Sequence, residues 1–416
     1  MSLPQELSGL SPRDTDAAEH ASSGSRLPTL TGMRFVAAAA VVLCHFSLYI
    51  RGNPDFWRNL GQVGVSFFFV LSGFVLTWSA RPGTPARAVW RARAAKIFPN
   101  HLLVGAAHAG LMLLTGKAIV AAQILPTATL TQSWIPGFDL TTAVSPVSWT
   151  LSCEVFFYLT FPLLLARIRR IPATYLWCAA CALVAVIFTL PTIAEQFVPH
   201  GKPMSPLLPY LDNHAWFVDF FPLARAFEFA LGMVLARIVA AGKWVQLGMA
   251  PAAVLFVLAY WLSMGSGLYS FSAATVIPIA MLICSGAVAD VEGRPSPLRH
   301  PYLVRLGEIS FALYLVHKPV IDYGMKLLGI PHFSGMALVD QVATLAPLLG
   351  VALLLAWLLY VGVERPVTRY WGRRRPRRAA GHRATCRECP ARTCSGRPSP
   401  DDHRDGEDMT GAPAPR

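Results

Sequence analysis

The stretch Thr29-Leu-Thr-Gly-Met-Arg34-Phe-Val-Ala-Ala-Ala-Ala-Val-Val-Leu-Cys-His45-Phe46 sets two ionisable side chains in an otherwise apolar run. Such groups are costly in hydrocarbon, and where they occur they face a bundle interior or a wet cavity. Positions 34 and 45 are eleven residues apart, which on a helix is within about 20° of three full turns and roughly 16 Å along one face. Arg34 and His45 are therefore expected to line one passage, with His45 two-thirds of the way along a span near 33–50.

The rest of the 416-residue chain fits that reading. It is 54% hydrophobic and 14% charged, with a mean hydropathy of +0.45, whereas soluble domains are about a quarter charged. Apolar segments of the length that crosses a bilayer core recur near 33–50, 62–80, 98–116, 149–166, 173–193, 216–240, 244–263, 269–288, 308–328 and 342–363. The expected fold class is all-α, a polytopic integral membrane protein with about ten transmembrane helices. Residues 1–28 read as a disordered N-terminal segment, 29–371 as the transmembrane domain and 372–416 as a disordered basic tail. The first 28 residues hold no apolar core of a cleaved signal peptide.

Charge distribution gives an orientation. One set of alternate loops carries Arg81, Arg87, Arg91, Arg93, Lys96, Arg167, Arg169, Arg170, Arg237, Lys243, Arg294, Arg299 and Arg305, while the other set carries only Arg51, Arg58, Lys117 and Lys202. The positive-inside rule assigns the first set, and with it both termini, to the cytoplasmic side of the cell membrane. Much of the net charge of +13 is this bias plus the Arg-rich tail, so no nucleic-acid partner is needed to explain it. The partner it implies is the lipid bilayer.

Cysteines give no strong signal. Cys44, Cys153, Cys178, Cys181 and Cys284 lie in or beside apolar spans and read as small packing residues. Cys386, Cys389 and Cys394 with His382 and His403 have zinc-ligand chemistry but crowded spacing, so no metal site is expected. The run Gly64-Val-Ser-Phe-Phe-Phe-Val-Leu-Ser-Gly73 lacks the Gly-Lys-Ser/Thr of a phosphate loop. Its glycines suit close helix approach instead.

Further polar constellations follow in order: Gly64 to Phe74, Trp149-Thr-Leu-Ser-Cys-Glu154-Val-Phe-Phe-Tyr158, Tyr314-Leu-Val-His317-Lys-Pro319 and Glu364-Arg-Pro366. Together with Arg34 and His45 they resemble, over roughly residues 27–371, the acyltransferase-3 family of integral-membrane O-acyltransferases. The resemblance implies transfer of an acetyl or other short acyl group from cytoplasmic acyl-CoA to an acceptor hydroxyl. Acyl-CoA is then a co-substrate, no cofactor is bound, and the acceptor is a hydroxyl-bearing small molecule or a glycan. The family's most activity-linked arginine and histidine map to Arg34 and His45. The Leu30-to-Arg34 and Leu151-to-Glu154 variants look like those of the macrolide-acylating subgroup. The polar tail, in place of the hydrolase-like domain that some glycan-modifying members carry, leans the same way.

Each candidate has a plain alternative. His45 suits a general base or transient acyl carrier, or a histidine that packs helices. Arg34 suits CoA phosphate, or a snorkelling positive-inside residue. Arg93 matches the second of the family's paired arginines, while Ala92 and Lys96 replace the first and third. Lysine keeps charge but loses the bidentate fork, leaving general acyl-CoA attraction at Arg93 and Lys96 beside plain topology signalling. Glu154 and Tyr158 share a helix face, and Glu154 is expected to orient His45, to pair with an arginine, or to bind acceptor. Arg225 and Glu228, three apart, read as mutual neutralisation within one span. His317 either lines the same cavity or stabilises the bundle. The rival function is a transporter of a small molecule or acyl group, in which these polar residues form a permeation path.

Overall fold

A computed structural model describes residues 26–49, 55–205, 208–330 and 336–372. The N-terminal segment up to residue 25, the tail from 373 and its Cys386-to-His403 group lie outside the described residues. Ten helices of 14 residues or more occur among the described residues: α1 Pro28–Ser47, α2 Asp55–Trp78, α3 Ala86–Leu114, α4 Trp149–Arg169, α5 Leu176–Phe197, α6 Pro222–Ala240, α7 Met249–Leu262, α8 Ala273–Val291, α9 Pro301–Leu327 and α10 Leu338–Leu359. The protein is an all-α, multi-pass membrane protein. Seven helices are long and apolar enough to cross a membrane on their own. The other three are α6 and α9, which carry several charges, and α7, which has 14 residues.

Secondary structure follows local chemistry. Proline at the first turn opens α1, α6 and α9, where its missing N–H removes no helical bond. The N–H and hydroxyl of Thr29 donate to Asp290 at 2.8 and 2.7 Å, so the orphan donors at the start of α1 are partly met from α8. This start is five residues earlier than the apolar run suggests, and α1 ends at Ser47. His45 therefore sits in the last turn of α1 and not two-thirds along it.

Among the described residues the only strands are β1 Pro203–Ser205 and β2 Leu208–Leu211, an antiparallel hairpin pairing Pro203 with Leu211 and Ser205 with Leu208. The loop portion from Ala118 to Leu130 holds a short helix over Ala121–Thr129. Ile124 and Leu125 are exposed there, whereas Thr127 is buried.

Packing centres on α2 against α6, with α1 held between α2 and α9. Lipid tails are as apolar as leucine, so close contact and not hydrophobicity has to join the helices. A Cβ on Gly73 would lie 1.9 Å from the Phe229 carbonyl oxygen, and one on Gly232 1.9 Å from that of Val70. The two backbones thus touch at a crossing only glycine permits. Beside it the buried rings of Phe157 and Phe229 stack with centroids 4.9 Å apart.

Candidate active site

Two cavities lie inside this frame. The first, of about 110 Å³, is lined by Arg34, Arg93, Lys96, Glu154, Tyr158 and the faces of Ser72 and Phe311. The Tyr158 hydroxyl is hydrogen-bonded to Glu154 and lies 3.2 Å from the Ser72 hydroxyl. The Trp90 indole N–H donates to the Tyr158 carbonyl at 3.1 Å. The Arg93 guanidinium lies over the Tyr158 ring at 5.4 Å and the Lys96 ammonium over Phe311 at 5.5 Å, cation–π contacts that hold both charges toward the space. Glu364, which had no role assigned from sequence, also faces Lys96 and Arg34 and accepts from Asn100 at 3.1 Å. Three cations thus converge with two carboxylates, leaving net positive charge in a partly buried hollow.

The second cavity, of about 300 Å³, contains His45. Aromatic walls come from Trp149, Phe220, Tyr210 and Phe271, and polar groups from Gln62, Asp219 and Lys318. Arg34 and His45 therefore stand in two cavities and not in a single one. They line adjacent cavities that share Val65 and Tyr314 as a common wall. The Tyr314 hydroxyl donates to the Val147 carbonyl at 3.2 Å and accepts from Thr150 at 3.0 Å, which fixes the phenol in place.

Glu154 accordingly does not orient His45, because it belongs to the other cavity, among Lys96, Arg93 and Arg34. The neighbour of His45 is His317: Nε2 of His317 is 3.0 Å from Nδ1 of His45. Each ring also sets Nδ1 against a carbonyl one turn back in its own helix, His45 on Val41 at 3.0 Å and His317 on Leu313 at 3.2 Å. A carbonyl can only accept. With both imidazoles neutral, His317 carries its proton on Nδ1, its Nε2 accepts, and His45 donates from Nδ1 toward both Val41 and His317. One nitrogen is left: Nε2 of His45, unprotonated.

Arg225 and Glu228 form an ion pair at 3.1 Å, each 1% exposed. The pair reaches beyond its own helix. Arg225 donates to Ser66 at 3.0 Å, Ser66 donates to Glu228 at 3.2 Å, and Asp219 stands 4.0 Å from the guanidinium. Arg225 also lies 5.0 Å over the Phe69 ring. Two buried carboxylates share one guanidinium here, and the group is a structural joint between α2 and α6. The sequence marks neither Gln62 nor Asp219, and it shows Tyr314 and Glu364 only as members of motifs, with no role of their own. Asp219 was hidden at the start of an apolar run, and no local pattern marks Gln62. Among the described residues no three His, Cys, Asp or Glu side chains form a metal-binding group.

The fold and site define an all-α membrane bundle with an imidazole facing a cavity, and sequence comparison names the family. The acyltransferase domain family matches residues 27–361, so this chain belongs to the acyltransferase-3 family and is an acyltransferase. It is 37% identical to Acyltransferase MdmB of Streptomyces mycarofaciens, across 86% of this chain and 96% of that protein. It is 26% identical to Nodulation protein 10 of Rhizobium leguminosarum bv. viciae, across 80% and 91%. Identity is also 26% to Exopolysaccharide production protein ExoZ of Rhizobium meliloti (strain 1021), across 75% and 90%. No solved structure matches the chain.

Proposed function

We propose that the protein transfers an acetyl or other short acyl group from acyl-CoA to a hydroxyl of a secondary metabolite of macrolide type or of a cell-envelope glycan, with His45 as general base. The observation that carries this reading is the His45–His317 contact, which leaves Nε2 of His45 free to take a proton. The first cavity receives the donor: CoA phosphates lie against Arg34, Arg93 and Lys96, where charge-assisted hydrogen bonds are strongest. The pantetheine arm then reaches past Tyr314 toward the second cavity, which holds the acceptor. In this reading both termini and the Arg34 side face the cytoplasm of the cell membrane, as the loop charges favour. The glycan arm draws on the exopolysaccharide-production relative and the macrolide arm on the Leu30-to-Arg34 and Leu151-to-Glu154 variants, while acyl transfer itself draws on the 37%-identical acyltransferase from Streptomyces.

The steps balance without any further group. Nε2 of His45 takes the acceptor hydroxyl proton as the oxygen attacks the thioester carbonyl. Positive charge then appears on His45, and its Nδ1–H bond to His317 becomes charge-assisted just as that charge forms. Collapse of the tetrahedral intermediate breaks the carbon–sulfur bond, and the imidazolium returns its proton to the departing thiolate. The products are an ester and free CoA.

The test is CoA release by full-length protein in lipid nanodiscs supplied with labelled acetyl-CoA. His45→Ala should abolish label transfer while the thermal unfolding midpoint stays put. Transfer that persists in the folded variant would remove His45 from the chemistry. Label movement across the bilayer without cleavage of the thioester would favour a transporter.

A further inference from the structure

Resting on the reading that the second cavity holds the acceptor, we infer that Asp219 and Gln62 grip the acceptor at a point other than the reacting hydroxyl. The acceptor must therefore bring a second hydrogen-bond donor, a neighbouring hydroxyl or a protonated amine.

The argument begins with satisfaction of buried polar atoms. Buried oxygens that accept nothing are uncommon in folded proteins and call for an explanation, since each forfeits its hydration without return. Oδ1 of Asp219 and Oε1 of Gln62 are two such atoms, and both residues line the cavity of His45. Asp219 is 2% exposed, so bulk water does not reach it freely. Its nearest cation is Arg225, whose Nη1 stands 4.0 Å away, beyond hydrogen-bond range, and pairs by charge with Glu228 at 3.1 Å. With Asp219 and Glu228 both ionised, the cluster carries one negative charge more than it neutralises. A donor from the cavity side would complete it.

Backbone placement gives the same direction. Asp219 lies in a π-helical turn, Trp216–Phe220, just before α6. Extra backbone per turn at that point is a feature that clusters at functional sites. Gln62 comes from the facing helix α2, so the two acceptors approach from different walls. The same cavity carries aromatic surfaces: Trp149 and Phe220 have ring centroids 4.6 Å apart, and Tyr210 lies 5.0 Å from Phe271. Flat apolar faces with a few placed acceptors suit a ring that carries several polar substituents. The charged residue on the other side, Lys318, is neutralised by Asp322 through paired contacts, the longer at 2.6 Å, and Tyr49 donates to that same carboxylate at 2.8 Å. It offers no competing partner for Asp219.

A site that hydrogen-bonds a substrate group rejects analogues lacking it far better than an apolar pocket rejects a missing methylene. Asp219 and Gln62 are therefore specificity-determining residues, separate from the base that performs transfer.

The experiment uses the full chain in lipid nanodiscs with acetyl-CoA and three probe acceptors of one ring size: cyclohexanol, methyl glucoside and methyl glucosaminide. Product mass and CoA release are followed together. The two glycosides should exceed cyclohexanol in kcat/KM by at least about tenfold. A further excess for the amine identifies an ammonium as the second donor, and equal rates identify a hydroxyl. Asp219→Asn and Gln62→Leu should each lower the glycoside-to-cyclohexanol ratio of kcat/KM about tenfold, chiefly through KM. The leucine variant, on a different helix and away from the Arg225 cluster, keeps the test decisive if the asparagine variant folds poorly. Cyclohexanol accepted as well as the glycosides, CoA release without transfer to any probe, or ratios unmoved in folded variants would each overturn the inference. A wild-type protein that releases no CoA under any condition would instead overturn the acyl-CoA reading on which it rests.

Discussion

Replacing His317 by leucine tests the two-histidine arrangement most directly. The change removes the acceptor 3.0 Å from Nδ1 of His45 but leaves the Val41 carbonyl, also at 3.0 Å. The Nδ1 proton therefore stays where it is, and Nε2 remains the basic nitrogen. What disappears is the strengthening of one hydrogen bond as His45 becomes cationic. Net hydrogen bonds contribute about 0.5–1.5 kcal/mol between neutral groups and about 1.5–3 to a charged one. The difference, about 1–1.5 kcal/mol, corresponds to a fall in kcat of about five- to fifteenfold at 1.36 kcal/mol per decade. Losing the tautomer altogether would cost far more, about 10⁴-fold in a triad enzyme. Leucine also fits a fully buried, apolar position, so folding should be retained. The assay is steady-state CoA release in nanodiscs, with KM for acetyl-CoA expected to shift by less than about twofold. His317→Gln should recover most of the rate, because an amide oxygen can accept near the position of Nε2. A leucine variant as fast as wild type, or a folded glutamine variant as slow as leucine, would refute the argument.

Four further outcomes are expected. Gly232→Ala should lower the thermal midpoint in detergent, since the new Cβ would meet the Val70 oxygen at 1.9 Å and overpacking costs about 1–3 kcal/mol or more, whereas Gly350→Ala, with open space around it, should not. Arg225→Met leaves Glu228 and Asp219 buried without their cation and should destabilise the fold by about 3–5 kcal/mol, read as lost monodisperse protein on size exclusion. Removing Arg294 from its exposed pair with Glu292 should change stability by no more than about 0.5 kcal/mol in the same assay. Arg93→Ala and Lys96→Ala should each raise KM for acetyl-CoA about tenfold or more with little effect on kcat, as expected for groups that hold phosphate and touch no reacting atom.

Bilayer physics made most of the helices legible, because roughly twenty apolar residues in a row have few other uses. The helical period was equally reliable over one turn: Glu154 and Tyr158, four apart, do share a face and a hydrogen bond. Arg225 and Glu228, three apart, share a face and an ion pair. What lay beyond reach was the partner across the bundle. His45 and His317 are 272 residues apart in the chain, and nothing local to either marks the other. The carboxylate expected beside His45 fell instead among Arg34, Arg93 and Lys96, a choice made by which helices pack and not by any single helix. The position of His45 in its helix was misjudged for a local reason: Pro28 and Thr29 open α1 before the uninterrupted apolar run starts. Asp219 was missed because a π-helical turn sets it apart from the regular spacing of α6.

The wall shared by the two cavities bears on the bilayer as well as on the acyl group. A bundle hollowed in two adjoining places is two side chains away from a continuous hollow. Were Val65 and Tyr314 absent, Arg34, Glu154, His45 and Lys318 would line one continuous polar shaft. Protons and small ions would run along it, each releasing about 2.3 kcal/mol per 100 mV of membrane potential. A valine with no hydrogen-bonding group and a phenol tied to Val147 and Thr150 interrupt that shaft. If a thioester passes this wall as proposed, the same pair also has to keep the membrane electrically sealed.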